Sequence, residues 1–537
     1  MATVFMKWLE TSPQKYDRGI QLLTLGRLTP LKRKISESYI HPGDRVLEIG
    51  CGTGQLTKMI ATRGAQVEGI DASPGMLAVA EKALQTEILE GHVNLKLMDA
   101  TQISEHFPAS SFDVIVSTLV FSELPEAEQR FVLEACSHLL TTKGRLLIAD
   151  EVSPTNFWRK TLFYLIRWPL VLLTWLLTRA TTNALRNFET TLREAGYTAK
   201  LPISYLGGSL ILYEAAYSPS AISHIASAIP HLSYRVTLKT LLTDLWCLFF
   251  RIIPPYPKFK TGLYAIGNPN RKSPVLVTGN FDLTVRRVLR ALDGRLDCWL
   301  LVADSAGINV WCASGGGYFT AEKVISALNT YHVAEVVDHH ALILPQLGAN
   351  GIDGWKIRQE TGWGVHWGPA KARDIPAYLS NHRKKTDKMR YVDFPIKDRL
   401  EMVTVTMGFY SLLILLPVFI FWRHLFLPVT AALLGLTYFY AIMHPWLPGK
   451  DGLWKSIPLG IIALAGLFVY SALWGHLLPQ SLFNWSLGMI GLSVFTGGEL
   501  QGMSPVMRGE QANWGPEALI SVLLLAIFWI SKLFIHG

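Results

Sequence analysis

Asn309-Val310-Trp311-Cys312-Ala313-Ser314-Gly315-Gly316 sets one cysteine among an amide, an indole and open glycine backbone. The run before it, Asp297-Cys298-Trp299-Leu300-Leu301-Val302-Ala303-Asp304, is apolar and bounded by Ser305-Ala306-Gly307, which reads as a buried strand ending in a turn. After it, Gly315-Gly316-Gly317 leads into residues 320–328, a helical pattern. Cys312 is therefore expected in the loop of a strand–loop–helix junction within an α/β unit. Glycine backbone there admits a large planar ligand, and a thiolate could ligate a metal-bearing cofactor. From the residues alone, a small buried hydrophobe accounts for Cys312 at least as well.

A second glycine-rich junction lies upstream. Arg45-Val46-Leu47-Glu48-Ile49-Gly50-Cys51-Gly52-Thr53-Gly54-Gln55 reads as a strand that enters a glycine loop and then a helix from Gln55. Val67-Glu68-Gly69-Ile70-Asp71 is a second strand ending in a carboxylate, suited to a ribose diol. Met98-Asp99-Ala100 ends a third, beside an adenine edge. Residues 112–121 and 144–150 supply a fourth and a fifth strand. The spacing is Gly-x-Gly-x-Gly and not the GxGxxG of dinucleotide dehydrogenases. Ser117, Ser122 and Glu123 lie where the fourth strand ends; acceptor contact and simple loop capping suit them equally.

Composition points away from one soluble domain. Half of the 537 residues are hydrophobic, 17 are tryptophan, and the mean hydropathy is +0.26. A net charge of +9 comes with no arginine tract interleaved with aromatics. The excess flanks apolar segments (Lys32 to Lys34, His382 to Lys385, Lys388 and Arg390), which argues for a membrane surface and against nucleic acid. Cys51, Cys136, Cys247, Cys298 and Cys312 form no CxxC pair or zinc spacing, as expected in a reducing compartment. The first ten residues lack the apolar core of a signal peptide. Residues 157–177 are apolar but carry Arg159, Lys160, Arg167 and Pro169, the pattern of an interfacial or re-entrant helix. Residues 241–253 make an apolar helix too short to span alone. Beyond Arg399 five spans are expected: 403–422, 427–446, 457–478, 482–496 and 518–534, the fourth being short. His444, His476 and His536 lie near their ends, and Glu499, Arg508, Glu510 and Glu517 occupy a polar loop from Gly497.

The first series of motifs resembles class I S-adenosylmethionine-dependent methyltransferases, in particular the ubiquinone and menaquinone group. The resemblance implies that Glu48, Gly50, Gly52 and Gly54 shape the cofactor loop, that Asp71 holds ribose, and that Asp99 and Ala100 flank adenine. The second half resembles the HgcA-type mercury-methylating corrinoid proteins, relatives of the corrinoid iron–sulfur protein of acetyl-CoA synthesis. Residues 260–269, 274–281, 309–317, 342–349, 368–373 and 394–400 carry that likeness in order. It implies a bound corrinoid of cobalamin type with Cys312 as the lower axial ligand of cobalt, and Thr278, Asn309 and Trp311 around the ring. Where the family usually has a lysine, this chain has Gly316.

The expected architecture is α/β: a Rossmann-like methyltransferase domain over 1–217, a linker with a membrane-proximal helix over 218–258, an α/β corrinoid domain over 259–400, and an all-α transmembrane domain of about five helices over 401–537. The resemblances imply a multi-pass protein of the cytoplasmic membrane, both soluble domains inside, passing methyl groups via cobalt to a soft metal or metalloid such as mercury(II). The fused domain would methylate or reactivate cobalt, with a methyl-folate donor system as a second source. A ferredoxin-like iron–sulfur partner is implied for electrons, since no cysteine array is present. The alternative is a lipid or quinone methyltransferase fused to a corrinoid-binding carrier or sensor.

Overall fold

The computed structural model describes residues 6–10, 12–154, 184–200, 202–205, 208–218, 229–250 and 256–500, with isolated positions between 161 and 174 and between 519 and 530. It divides into two compact units. One is Met1–Pro230 with Thr261–Leu263 and Ala321–His339; the other is His231–Lys260 with Tyr264–Thr320 and His340–Gly537.

In the first unit, strands β1 (Arg45–Ile49), β2 (Gln66–Asp71), β3 (Val93–Leu97), β4 (Phe112–Thr118), β5 (Leu140–Glu151), β6 (Tyr197–Ala199), β7 (Ile203–Tyr205) and β8 (Leu210–Tyr217) form one sheet. Its order is β3-β2-β1-β4-β5-β8-β6, with β7 also on β8. The first five strands pair in parallel and β8 returns antiparallel to β5. Successive strand residues face opposite sides. Val46, Val67 and Val114 therefore pack with Leu56 and Ile60 of helix α1 (Gln55–Ala61), while Leu47, Ile49 and Ile115 pack with Phe121 and Phe188 on the other side. The connections reverse direction between β1 and β4, which opens a crevice at their carboxyl ends.

In the second unit, strands β9 (His231–Leu232), β10 (Gly262–Ile266), β11 (Val275–Gly279), β12 (Cys298–Ala303), β13 (Ala341–Leu344) and β14 (Gly364–Trp367) run in the order β14-β13-β11-β12-β10-β9. The pairings β9–β10, β11–β12, β11–β13 and β13–β14 are parallel. Strands β10 and β11 are buried at every position, the mark of a parallel sheet covered on both faces. Helices α2 (Leu238–Phe250), α3 (Asp282–Leu292) and α4 (Val310–Gly315) precede and follow these strands. α3 lays Val285, Leu289 and Leu292 against Ile266, Leu276, Leu300 and Val302. Here the connections diverge between β11 and β13, placing a second crevice at the ends of those strands.

The apolar C-terminal part forms α5 (Ile396–Phe421), α6 (Phe426–Met443), α7 (Leu453–Tyr470) and α8 (Pro479–Glu499). Two segments are long and apolar enough to cross a membrane, Arg423–Met443 and Leu453–Gly475, or three if the two halves of α5, bent by 47°, count as one. The bend has local causes: Thr404 and Thr406 donate back to Leu400 O and Met402 O, and Gly408 lies against the backbone of Phe249. The expected set of five spans is therefore reduced among the described residues. α8, at 21 residues, is longer than the short fourth span but is not among those apolar enough to cross. Most of the fifth span, with Arg508, Glu510, Glu517 and His536, lies outside the described residues. The apolar helix expected at 241–253 is α2, of 13 residues, and Ile253 lies outside the described residues.

Candidate functional site

The crevice at β1 and β4 collects the first group of expected residues. Gly50, Gly52 and Gly54 all take positive φ (74°, 56° and 79°), so the loop needs glycine three times. Gly50 is doubly constrained, because an added Cβ would lie 2.2 Å from Val120. The Asp71 carboxylate ties this loop to the end of β2. One oxygen accepts from Gly52 N at 2.8 Å and the other from Ser73 N at 2.8 Å. A carboxylate oxygen can accept more than one hydrogen bond, so this anchoring does not exclude the ribose role. Asp99 uses one carboxylate oxygen to cap the turn that begins at buried Ala100, accepting from Thr101 N at 2.9 Å and Thr101 Oγ1 at 2.8 Å.

Glu48 is buried and accepts from Thr57 Oγ1 at 2.6 Å. Burial pushes its carboxyl up to about 7, against the opposing pull of the Thr57 hydroxyl and Lys32. The folded chain thus keeps a proton that the unfolded chain releases near 4.5, so stability falls as pH rises through that window and levels off above about 7. Glu48→Gln is expected to flatten this fall in the ligand-free chain, read as the melting temperature between about pH 5 and 8. Asp150, also pushed up by burial to about 7, retains its own share. Identical pH profiles for variant and parent would contradict the assignment.

Asp17 and Tyr16 carried no sequence signal, and the partners of Ser122 and Arg167 were not legible. Thr53 Oγ1 donates to Asp17 Oδ1 at 2.7 Å from the helix Pro13–Leu23. On the same helix burial, followed by Glu123, Glu10, Asp71 and Asp17, holds the Tyr16 phenol well above its usual value. At the ends of β4 and β5, Ser122 N donates to buried Asp150 at 3.0 Å, Ser117 is buried, and Glu151 forms a buried ion pair with Arg167 at 2.7 Å. Arg167 belongs to the apolar insert, so its charge is met inside the protein. Arg159 and Lys160 lie outside the described residues.

The second crevice holds the cysteine. Cys312 lies in α4 and not in a loop, because the Asn309 side chain caps the helix by accepting from Cys312 N at 3.0 Å. The three glycines after it suggest a loop, but only Gly317 has positive φ (74°). Of the five cysteines Cys312 alone is exposed. It lines a cavity of about 1580 Å³ together with Thr278, Asn309 and Trp311, so all four residues expected around a corrinoid meet in one place. Pro345 after β13, Phe394, Lys450 and Asp451 from the turn between α6 and α7, and Trp454 from the first turn of α7 also line it. The volume exceeds the ~300–1,000 Å³ of sites for drug-sized ligands.

Asn280 holds this region in shape. Its Oδ1 accepts from Ser305 N at 2.9 Å and Gly307 N at 2.9 Å, and its Nδ2 donates to Asp304 at 2.8 Å. The turn that delivers Asn309 and Cys312 is thereby pinned to the end of β11. Among the described residues no group of three or more His, Cys, Asp or Glu side chains converges as a metal-ion site. A metal held at Cys312 would have to arrive with most of its ligands already in place.

Similarity to known proteins supports a methyltransferase. A methyltransferase-domain family matches residues 46–144, and the family of the CO dehydrogenase/acetyl-CoA synthase delta subunit matches residues 246–379. The chain thus joins an S-adenosylmethionine-dependent methyltransferase domain to a domain of that delta-subunit type. An uncharacterized methyltransferase of Synechocystis is 29% identical over 227 residues, 40% of this chain and 97% of its own length. The gamma subunits of the acetyl-CoA decarbonylase/synthase complex from Methanopyrus kandleri and Methanocaldococcus jannaschii are 36% identical over 143 residues and 31% over 176. These matches take in 26% and 32% of this chain, which spans only 30% and 36% of those two subunits.

Proposed function

We propose that the chain is a membrane-anchored, corrinoid-dependent methyltransferase whose acceptor is a soft metal or metalloid such as mercury(II), with its own S-adenosylmethionine domain as methyl source. The observation that carries this reading is the cavity lined at once by Thr278, Asn309, Trp311 and the one exposed cysteine, Cys312. The donor set fits the group. A corrinoid brings most of its metal's ligands with it, so the single thiol of Cys312 would suffice to hold the metal, while Thr278, Asn309 and Trp311 would hold the ring. When bound, it supplies a redox-active cobalt centre able to take and release methyl groups. Asn309 caps the helix that carries the thiol, Asn280 fixes the turn before it, and the α6–α7 turn contributes Lys450 and Asp451 to the cavity wall.

In the other unit the glycine loop and Asp71 would hold the methyl donor, and alignment more than acid–base chemistry would drive transfer. α6 and α7 anchor the chain in the cytoplasmic membrane with both soluble domains inside. Electrons would come from a ferredoxin-like iron–sulfur protein, and a methyl-folate system would be a second donor.

The test is transfer of label. Full-length protein in detergent, with cobalamin, reductant and methyl-labelled S-adenosylmethionine under anaerobiosis, is expected to place label on the corrinoid and, once mercury(II) is added, on the metal. The Arg167–Glu151 pair, which sets Arg167 of the apolar insert at the end of β5, favours one other reading, a lipid or quinone methyltransferase. Label found in lipid and never on the corrinoid would support that reading and refute ours.

A further inference from the structure

The cavity beside Cys312 has an uneven charge. Seven Lys or Arg residues line it against three Asp or Glu. Some of the cations are already matched: Arg287 pairs with Glu401 at 2.6 Å, Lys371 with Asp393, and Arg373 lies 3.9 Å from Asp374. Arg290, Arg295, Lys397 and Lys450 have no carboxylate partner among the described residues. They come from separate parts of the second unit: Arg290 from α3, Arg295 from the turn after it, Lys397 from the first turn of α5, and Lys450 from the α6–α7 turn. Four uncompensated cations around one cavity raise a positive potential that favours an anionic group and opposes free metal cations.

We infer that these four residues form an anion subsite of the cavity, and that its occupant is the phosphodiester of a corrinoid carrying its nucleotide tail. The inference rests on the corrinoid reading above. The corrin ring with its amide side chains offers little negative charge, whereas the tail carries a fixed one. Arg and Lys recognise phosphate through charge-assisted hydrogen bonds. Two of the cations, Lys397 and Lys450, stand on the membrane-helix portion of the chain, so that portion contributes to ligand binding as well as to anchoring. The same potential implies that a soft metal acceptor enters as a neutral or anionic complex.

The experiment compares cobalamin with cobinamide, which has the same ring and no nucleotide tail. Both are titrated into the full-length parent, an Arg290→Gln/Arg295→Gln variant and a Lys397→Gln/Lys450→Gln variant. The parent is expected to bind cobalamin at least about tenfold more tightly than cobinamide, the size of one lost hydrogen bond to a charged group. Each variant is expected to lose most of that preference while its cobinamide affinity stays unchanged. Equal parent affinities for the two corrinoids, or variants that weaken both alike, would overturn the subsite and leave the corrinoid reading standing. Competition by millimolar inorganic phosphate against cobalamin alone would support an anion site, and competition against both would contradict it. Failure of both corrinoids to bind would remove the corrinoid reading and the subsite with it.

Discussion

Replacing Asp71 with alanine is expected to weaken S-adenosylmethionine binding by at least roughly a hundredfold and to abolish methyl transfer from it. The carboxylate has one task visible in the structure and a second that is proposed. It accepts backbone amides from Gly52 and Ser73, each at 2.8 Å, and so holds the glycine loop in its left-handed conformation at the carboxyl end of β1. In the proposed function the same carboxylate would also hold the ribose diol of the donor. Each lost hydrogen bond to a charged group costs about 1.5–3 kcal/mol, and loss of loop order adds to that. Asp71→Asn is the more discriminating variant, since it keeps the size but turns one acceptor into a donor facing an N–H. Calorimetric titration with S-adenosylmethionine reads the result. Binding within threefold of the parent in both variants would show that the loop is held elsewhere and that Asp71 does not touch the donor.

Asn280→Ala is expected to have its effect in the other half of the chain. The side chain is buried and satisfies Ser305 N, Gly307 N and the Asp304 carboxylate together. Alanine leaves several buried polar groups without partners at once, at about 1–3 kcal/mol each. The turn from Asp304 to Ile308 then loses its attachment to β11, and with it the placement of Asn309 and Cys312. The expected outcome is loss of cobalamin binding with S-adenosylmethionine binding unchanged, and faster proteolysis within residues 298–312. Asn280→Asp, which keeps the acceptor and loses the donor to Asp304, should fall between alanine and parent. If Asn280→Ala bound cobalamin normally, the rigid turn would not be what presents Cys312.

Much of both folds was legible because parallel strands are written as continuous apolar runs. Residues 45–49, 67–71 and 298–303 announce their strands this way. The strand read over 112–121 is shorter, Phe112–Thr118, since Leu119 turns to positive φ. The glycine loop was equally plain, its conformational demand being local. Less legible was whatever depends on two distant segments meeting. Asp17 and Tyr16 lie on an N-terminal helix with no motif of its own, and only folding brings it to Thr53 and Asp71. Asn280 sits inside a recognisable block, yet its role exists only once the 304–307 turn closes on it. Arg167 interrupts an apolar run, and nothing in that run discloses the Glu151 carboxylate that receives it. His444 lies near the end of an expected span, and the fold buries it with its ring 2.9 Å from Asp451 of the cavity wall. Around Cys312 the three glycines masked a helix that one asparagine cap suffices to start.

The central claim is that the Cys312 thiol binds the metal of a corrinoid in this cavity. Its most direct test is the absorption spectrum of the full-length protein loaded with cobalamin under strict anaerobiosis, compared with the Cys312→Ala variant. Both proteins are expected to retain corrinoid, since Thr278, Asn309 and Trp311 remain, and the parent is expected to show a shifted cobalt spectrum which the alanine variant loses. Identical spectra, or no bound corrinoid in the parent, would contradict it.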